Sequence, residues 1–193
     1  WVLARKPASL PKDKERWPSV DIFIPTYNEP LDVVKPTVYA ALTVDWPKEK
    51  LNVYILDDGS RKEFKDFACE VGAGYIEREE HKHAKAGNIN HAMGITKGDF
   101  IAIFDCDHVP VKTFLQKTMG WFLKDEKIAL VQTPHHFYSQ DPFEKNLHLK
   151  ENVPNENSLF HDFIQKGNDT WNATMFCGSC AIMRRKALEE VGG

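Results

Sequence analysis

Long apolar runs are missing from this chain. No stretch approaches the 18 or so residues that a membrane span requires, and no signal peptide stands at its start. Cysteine is scarce: Cys69, Cys106, Cys177 and Cys180 are too few and too scattered for a disulfide framework. The one close spacing, Cys177-Gly-Ser-Cys180, lacks the second pair of a zinc site and the following helix of a redox motif. With "ATMFCGSCAIM" read as a strand, an offset of three also sends the two sulfurs to opposite faces. Reduced thiols, and with them a cytoplasmic setting, are the expectation. A surplus of one charge is missing too. The 25 basic and 28 acidic side chains leave a net charge of −3, too balanced for nucleic acid or an acidic membrane as main partner.

What is present is enough for one globular domain: 193 residues, 42% of them hydrophobic and 27% charged. β-rich runs alternate with helical ones. "VDIFIP" (20–25) predicts a strand ending at Pro25, which cannot donate a ladder bond. "EPLDVVKPTVYAAL" predicts a turn and a helix with Val34, Val38 and Leu42 four apart, Pro36 notwithstanding. "LNVYILDDGS" reads as a strand entering a turn, residues 61–71 as a helix and "AGYIERE" as a short strand. "AKAGNINHAMGIT" predicts a helix, "DFIAIFD" a strand, and "VKTFLQKTMGWFL" a helix with an apolar stripe at Phe114, Leu115, Met119 and Phe122. "KIALVQT" and "ATMFCGSCAIM" read as the last strands, with loops and short helices over 135–172. The alternation implies an α/β fold with a mainly parallel sheet flanked by helices. In open α/β sheets ligands lie outside the carboxyl ends of the strands, near the switch in strand order. Three polar strand exits should therefore converge on one ligand: Thr26-Tyr27-Asn28-Glu29, Asp57-Asp58-Gly59-Ser60 and Asp105-Cys106-Asp107-His108.

Asp105 and Asp107 flank one residue, so in an extended conformation both face the same side and share a single cation. Mg2+ or Mn2+ suits two carboxylates, and such an ion neutralises charge developing on a phosphate leaving group. Solvated aspartates in a turn are the plain alternative; the apolar strand before them and the two further polar exits favour the metal. Asp57-Asp58-Gly59-Ser60 reads either as an ordinary turn or as an acceptor for a nucleotide base or ribose. Tyr27 offers an aromatic face for a base, or is simply a half-buried tyrosine. Lys85, beside Gly87 at a helix start, resembles an anion site. His81, His83, His91, His135 and His136 receive no role, since no carboxylate or cysteine completes a zinc pattern around them.

Two enzyme classes place D-x-D at a strand end. A haloacid-dehalogenase-type phosphatase would use the first Asp as nucleophile, and Val109 fits its pattern. But two strand–helix units precede the motif here, and no convincing downstream acidic pair follows. A sugar-nucleotide glycosyltransferase, in which both acids hold a metal–diphosphate, explains more of the chain. A non-catalytic reading, a nucleotide-binding piece that contacts other subunits, also stays open.

"PTYNEP", "LDDGS", "HAKAGNINHA", "FDCDHVP", "LVQTPHHF" and "MFCGSCAIMRRKAL" occur in this order. Together they resemble the processive family-two glycosyltransferases, with "QTPHHF" and "FCGS" pointing to the bacterial cellulose synthases rather than the chitin or hyaluronan synthases. The resemblance implies a nucleotide-diphospho-sugar transferase (GT-A-like) fold, truncated at its C-terminus. It also implies a UDP-glucose donor and inverting transfer to the 4-hydroxyl of a growing β-1,4-glucan. It makes Asp58, Asp105 and Asp107 the catalytic carboxylates, with Asp105 and Asp107 on Mg2+ or Mn2+ and His108 close by. Tyr27 and Glu29 would line the uridine pocket, with Asp57 supporting Asp58. Lys85 would reach the diphosphate, and Phe176, Cys177, Gly178 and Ser179 would lie near the acceptor sugar. Met175 and Cys106 depart from the family's usual residues without removing chemistry. Neither the "TED" string that supplies the family's base nor "QxxRW" occurs here. Both ends read as cuts, so residues 1–19 are expected to be a linker from a preceding membrane segment. Residues 20–193 would be the donor-binding half of a transferase domain. The parent would lie at the cytoplasmic face of the bacterial inner membrane, respond to cyclic-di-GMP and meet a membrane-anchored periplasmic subunit.

Overall fold

A computed structural model describes residues 8–135 and 159–193. The chain divides into two units. The larger holds residues 7–131 and 178–193, and the described part of the smaller covers residues 132–135 and 159–177.

Six strands form one sheet in the order β3-β2-β1-β4-β6-β5: β1 (Val20–Thr26), β2 (Leu51–Asp57), β3 (Gly74–Ile76), β4 (Phe100–Ile103), β5 (Leu130–Gln132) and β6 (Ala181–Arg184). β1 is central and wholly buried, which is why it reads as an unbroken apolar run and not as an alternation. It extends through Pro25 to Thr26, one residue beyond expectation; Pro25 pairs with Leu56 of β2, past the β4 pairing that ends at Phe23↔Ile103. The chain moves outward from β1 to β2 and β3, then returns to β1's other side as β4, so the order reverses between β1 and β4.

The β1, β2, β3 and β4 pairings are parallel, as expected, but β6 lies antiparallel to β4 with Ile103 opposite Ala181 and Phe100 opposite Arg184. The sheet is mixed because β6 enters from the end that β4 leaves. The strand expected over 173–183 is cut to its last residues, since Gly178 (φ 86°) and Cys180 (φ 53°) adopt left-handed backbone that an extended ladder cannot hold.

Helices cover both faces. On one side α1 (Leu31–Leu42), α2 (Lys62–Val71) and α4 (Phe114–Lys124) bury Val34 and Val38, Phe64 and Phe67, and Leu115, Met119 and Phe122 against Ile22, Ile24, Ile55 and Ala102. On the other, α3 (Ala84–Ile95) and α6 (Arg185–Val191) bring Ile89, Ala92 and Leu188 to Phe23, Leu56, Ile101 and Ile103. Pro36 stays inside α1, where it forgoes one intrahelical hydrogen bond. α2 stops at Gly72, whose φ of 74° closes the helix in a conformation costly to other residues. Helix α6 was not expected from the sequence.

Within the stretch expected as a linker, Leu10 and Trp17 pack on the core while residues 12–16 stay exposed. Trp17 is buried and stacked on Trp46 at 4.4 Å, and Lys50 Nζ donates to the carbonyls of Glu15 and Trp17 at 2.5 and 2.7 Å. In the smaller unit a π-helical turn (Leu159–Gln165) runs into α5 (Lys166–Thr170). There Gln165 Nε2 donates to the Met175 carbonyl at 2.9 Å, and the Cys177 N–H donates to Gln132 Oε1 at 2.9 Å. The rest of the predicted loop region, His136 included, lies outside the described residues. Among the described residues no helix is long and apolar enough to cross a membrane.

Candidate active site

The three strand exits meet. Thr26 at the end of β1 with Tyr27 and Glu29 after it, Asp58 after β2, and Asp105, Cys106 and Asp107 after β4 line one cavity of about 560 Å3, closed by Ala84, Lys85 and Asn88 of α3. It sits at the carboxyl ends of the strands where their order reverses, as the topology rule requires.

Asp57 and Asp58 are neighbours with different tasks because successive residues of an extended chain face opposite ways. Asp57 is fully buried and accepts from the Gly59 N–H (2.9 Å), the Arg61 N–H (2.7 Å), the Arg61 guanidinium (2.8 Å) and the Tyr75 hydroxyl (3.0 Å). Burial and the Asp57 hydrogen bond together push the Tyr75 hydroxyl above its ordinary range, so it stays a donor. Asp57 thus builds the turn that carries Asp58 and touches nothing in the cavity. Asp58 is gripped by a buried arginine: Arg78 Nε and Nη2 reach its two oxygens at 2.6 and 2.8 Å. Arg78 also donates to the carbonyls of Lys82 (2.8 Å) and Ala84 (2.9 Å), tying Asp58 to the start of α3. A Cβ on Gly87 would lie 2.0 Å from the Lys82 carbonyl oxygen and 2.6 Å from Arg78 Nη1, so this packing needs glycine there.

Tyr27 is 58% exposed on the cavity wall. Glu29 accepts from the Thr26 hydroxyl and the Tyr27 N–H, each at 2.8 Å. Its burial would raise the carboxyl's pKa, but these bonds, its own backbone N–H and the Arg61 charge outweigh it, and the group titrates below the ordinary glutamate range. The loop gains that support above the ordinary range and loses it as pH falls through the lowered value.

Asp105 and Asp107 both line the cavity, but not in the expected extended conformation. β4 ends at Ile103, and the His108 N–H closes a turn onto the Asp105 carbonyl at 2.9 Å. Two charged residues leaving a buried strand turn toward solvent rather than prolong the ladder. Lys85 Nζ pairs with Asp105 Oδ1 and also donates to the Gly178 carbonyl at 2.5 Å. Ser179, expected beside an acceptor sugar, is fully buried under the turn. Its hydroxyl accepts the Asp105 N–H at 2.8 Å and lies 2.7 Å from His108 Nδ1. Phe176 and Cys177 belong to the smaller unit. Of the histidines, His81 lines the cavity 3.8 Å from Asp58, and His83 precedes α3 in a left-handed conformation. His135 lies 5.2 Å from His161 within the smaller unit.

Three residues escaped the sequence reading. Arg61 and Arg78 were hidden because a counter-ion has no local signature; the only hint was an arginine just past each strand exit. Asn88 is buried at the cavity, its Nδ2 donating to the Leu56 carbonyl at 3.0 Å while Oδ1 has no hydrogen-bond partner among the described residues. Cys106 between the two acids turns its sulfur inward. Burial above all, then the charges of Glu29, Asp107 and Asp105, push its thiol up to about 12. At pH 8 only roughly one part in 10^4 is thiolate. Alkylation of the native protein is therefore expected to label exposed Cys69 and spare Cys106 until denaturant is added. Peptide mass spectrometry showing equal native labelling would contradict this placement.

A mixed sheet with helices on both faces and a cavity of acids at the strand exits is the architecture of the GT-A glycosyltransferases. The fold matches solved members. Mannosyltransferase PcManGT from Pyrobaculum calidifontis, in complex with GDP-Man and Mn2+, superposes with a TM-score of 0.62 at 20% identity, over 98% of this chain and 51% of that one. Glucosyl-3-phosphoglycerate synthase from Mycobacterium tuberculosis, with Mn2+, UDP and glucosyl-3-phosphoglycerate, gives 0.59 at 19% identity over 91% and 60%. The chain belongs to glycosyl transferase family 2, which residues 21–192 match. That membership, and a D-x-D turn reached only after β4, set aside the phosphatase alternative. Similar curated proteins include the cellulose synthase catalytic subunit (UDP-forming) of Xanthomonas axonopodis pv. citri, 60% identical over all 193 residues, and cellulose synthase 2 of Novacetimonas hansenii, 58% identical. The chain spans 26% and 12% of their respective lengths.

Proposed function

We propose that this chain is the UDP-glucose-binding part of a cellulose synthase catalytic subunit. The observation that carries this reading is the single cavity in which Tyr27, Asp58, Lys85, Asp105 and Asp107 converge from four separate chain segments. The names of its relatives point the same way. Tyr27 gives a base an aromatic face, and the Arg78-held Asp58 keeps lone pairs for a uracil or ribose donor. Asp105 and Asp107 are hard oxygen donors, 37% and 66% exposed, and suit Mg2+ or Mn2+; Lys85 already stands on Asp105 as a cation. Bound there, the metal would neutralise charge on the departing diphosphate. Lys85 would contribute a point charge to the same oxygens.

In this reading transfer inverts the donor sugar onto the 4-hydroxyl of a growing β-1,4-glucan. The sequence contains neither the "TED" string that the family resemblance assigns to the base nor "QxxRW", so the chain binds donor and makes no polymer. Its parent works at the cytoplasmic face of an inner membrane, with a periplasmic partner subunit and cyclic-di-GMP control.

Titration calorimetry with UDP tests the site. Binding should need Mg2+ or Mn2+, and EDTA or Asp107→Asn should weaken it by about tenfold or more, because one charge of the cation's cradle is lost. Equal affinity with and without metal would remove the metal from the reading. A folded protein that ignores UDP would remove the donor site altogether.

A further inference from the structure

We infer that Lys85 is an internal rival of the divalent cation for Asp105, so that metal and diphosphate each strengthen the other's binding. The inference rests on the donor-site reading above and adds how the site is loaded.

Asp105 is held at both ends of its backbone. Its N–H goes to the buried Ser179 hydroxyl at 2.8 Å and its carbonyl closes the turn to the His108 N–H at 2.9 Å. The Asp105 backbone is therefore fixed, and only its short side chain can turn. Lys85 is the movable member of the pair: its ammonium ends a flexible four-carbon stem, is 37% exposed, and rests on Asp105 Oδ1 and the Gly178 carbonyl. Arg61 and Arg78 are fixed in forks on Asp57 and Asp58 and cannot take its place.

A divalent ion seated on Asp105 would compete for the carboxylate charge that Lys85 now neutralises. The two cations cannot share it, since like charges about 4 Å apart repel by several kcal/mol even at a surface-like dielectric. Lys85 must leave, and it gives up the Gly178 carbonyl with Asp105. Without nucleotide it gains only water in return, so metal alone binds weakly. With a diphosphate in the cavity the ammonium moves onto phosphate oxygens and keeps a strong partner. Each ligand then raises the other's affinity by the same factor, as linkage demands. Because Lys85 also rests on the carbonyl of Gly178, metal loading frees the segment that leads into β6.

Mn2+ binding to this chain, read from the electron paramagnetic resonance signal of free Mn2+, tests the rivalry directly. Lys85→Met should bind Mn2+ in the absence of nucleotide about tenfold more tightly than the unaltered chain, within the range usual for coupled sites. Lys85→Arg, which keeps the charge, should stay weak, and UDP should enhance Mn2+ binding less in Lys85→Met than in the unaltered chain. Lys85→Gln serves the same arm if the methionine variant does not fold. Unchanged or weaker Mn2+ binding by the neutral variant would overturn the inference. The nucleotide-free arms stand apart from the donor-site reading, which fails instead if UDP does not bind the unaltered chain in the presence of Mn2+.

Discussion

Arg78→Lys is expected to fold and to lose UDP affinity by roughly 10- to 100-fold, the equivalent of one or two charge-assisted hydrogen bonds. Arg78 makes four bonds, two to Asp58 and two to the carbonyls of Lys82 and Ala84. Lysine keeps the charge but is a point donor, so it cannot hold both oxygens of Asp58 and reach both carbonyls. Asp58 would turn away from the base while the start of α3, with Lys85 on it, loosened. Two readings separate this role from plain support of the fold. Mn2+ binding without nucleotide should not weaken, because Asp105 and Asp107 stand on a different strand exit. UDP affinity should fall further than thermal stability accounts for. An Arg78→Lys chain that binds UDP as well as its parent would show that Asp58 needs no fork. Arg78→Leu is a harsher test: it leaves Asp58, whose side chain is only 10% exposed, without a counter-charge, and should destabilise the fold as well.

The largest stability effect is expected far from the cavity, at Arg185. This side chain, 10% exposed, donates to Asp21 Oδ2 (2.9 Å), Thr96 Oγ1 (2.9 Å) and the carbonyls of Gly98 (2.5 Å) and Met93 (2.8 Å). Asp21 is fully buried at the second position of the central strand and accepts further from the Gly98 N–H at 2.7 Å and Asn52 Nδ2 at 2.9 Å. Arg185→Met leaves that carboxylate buried without its cation, which costs about 3–5 kcal/mol. A chain of this size should lose about 6–20 °C in Tm. Asp21→Asn combined with Arg185→Met removes the stranded charge and should recover part of the loss, so a thermal double-mutant cycle should show strong coupling. Additive effects would mean that the two residues contribute independently.

The strands, the helices on either side of them and the three polar exits are legible in the sequence because each is a local signal. Apolar runs such as Phe100–Phe104 mark buried strands, the four-residue spacing of Val34 and Val38 marks a helix face, and Asp-Gly-Ser marks a turn. β6 was misjudged at its start because nothing in "MFCGSC" announces two left-handed residues. The D-x-D turn is not legible because two acids one residue apart fit an extended or a turned conformation, and only the buried strand behind them decides.

By itself the sequence determined the order of elements, the side of the sheet on which a ligand can sit, and the residues that could meet it. Only the tertiary structure decided their partners. Asp57 and Asp58 are the same residue type at adjacent positions, yet one is consumed by Arg61 and Tyr75 and the other is presented by Arg78. Asp105 could face a metal, water or a lysine, and it is the fold that places Lys85 on it from 20 residues away. Asp21 meets Arg185 across 164 residues. Periodicity and turn chemistry act over a few residues, and so they are written locally. A counter-charge is chosen by whatever the folded chain brings within 3–4 Å, and that distance exists only once the layers have packed.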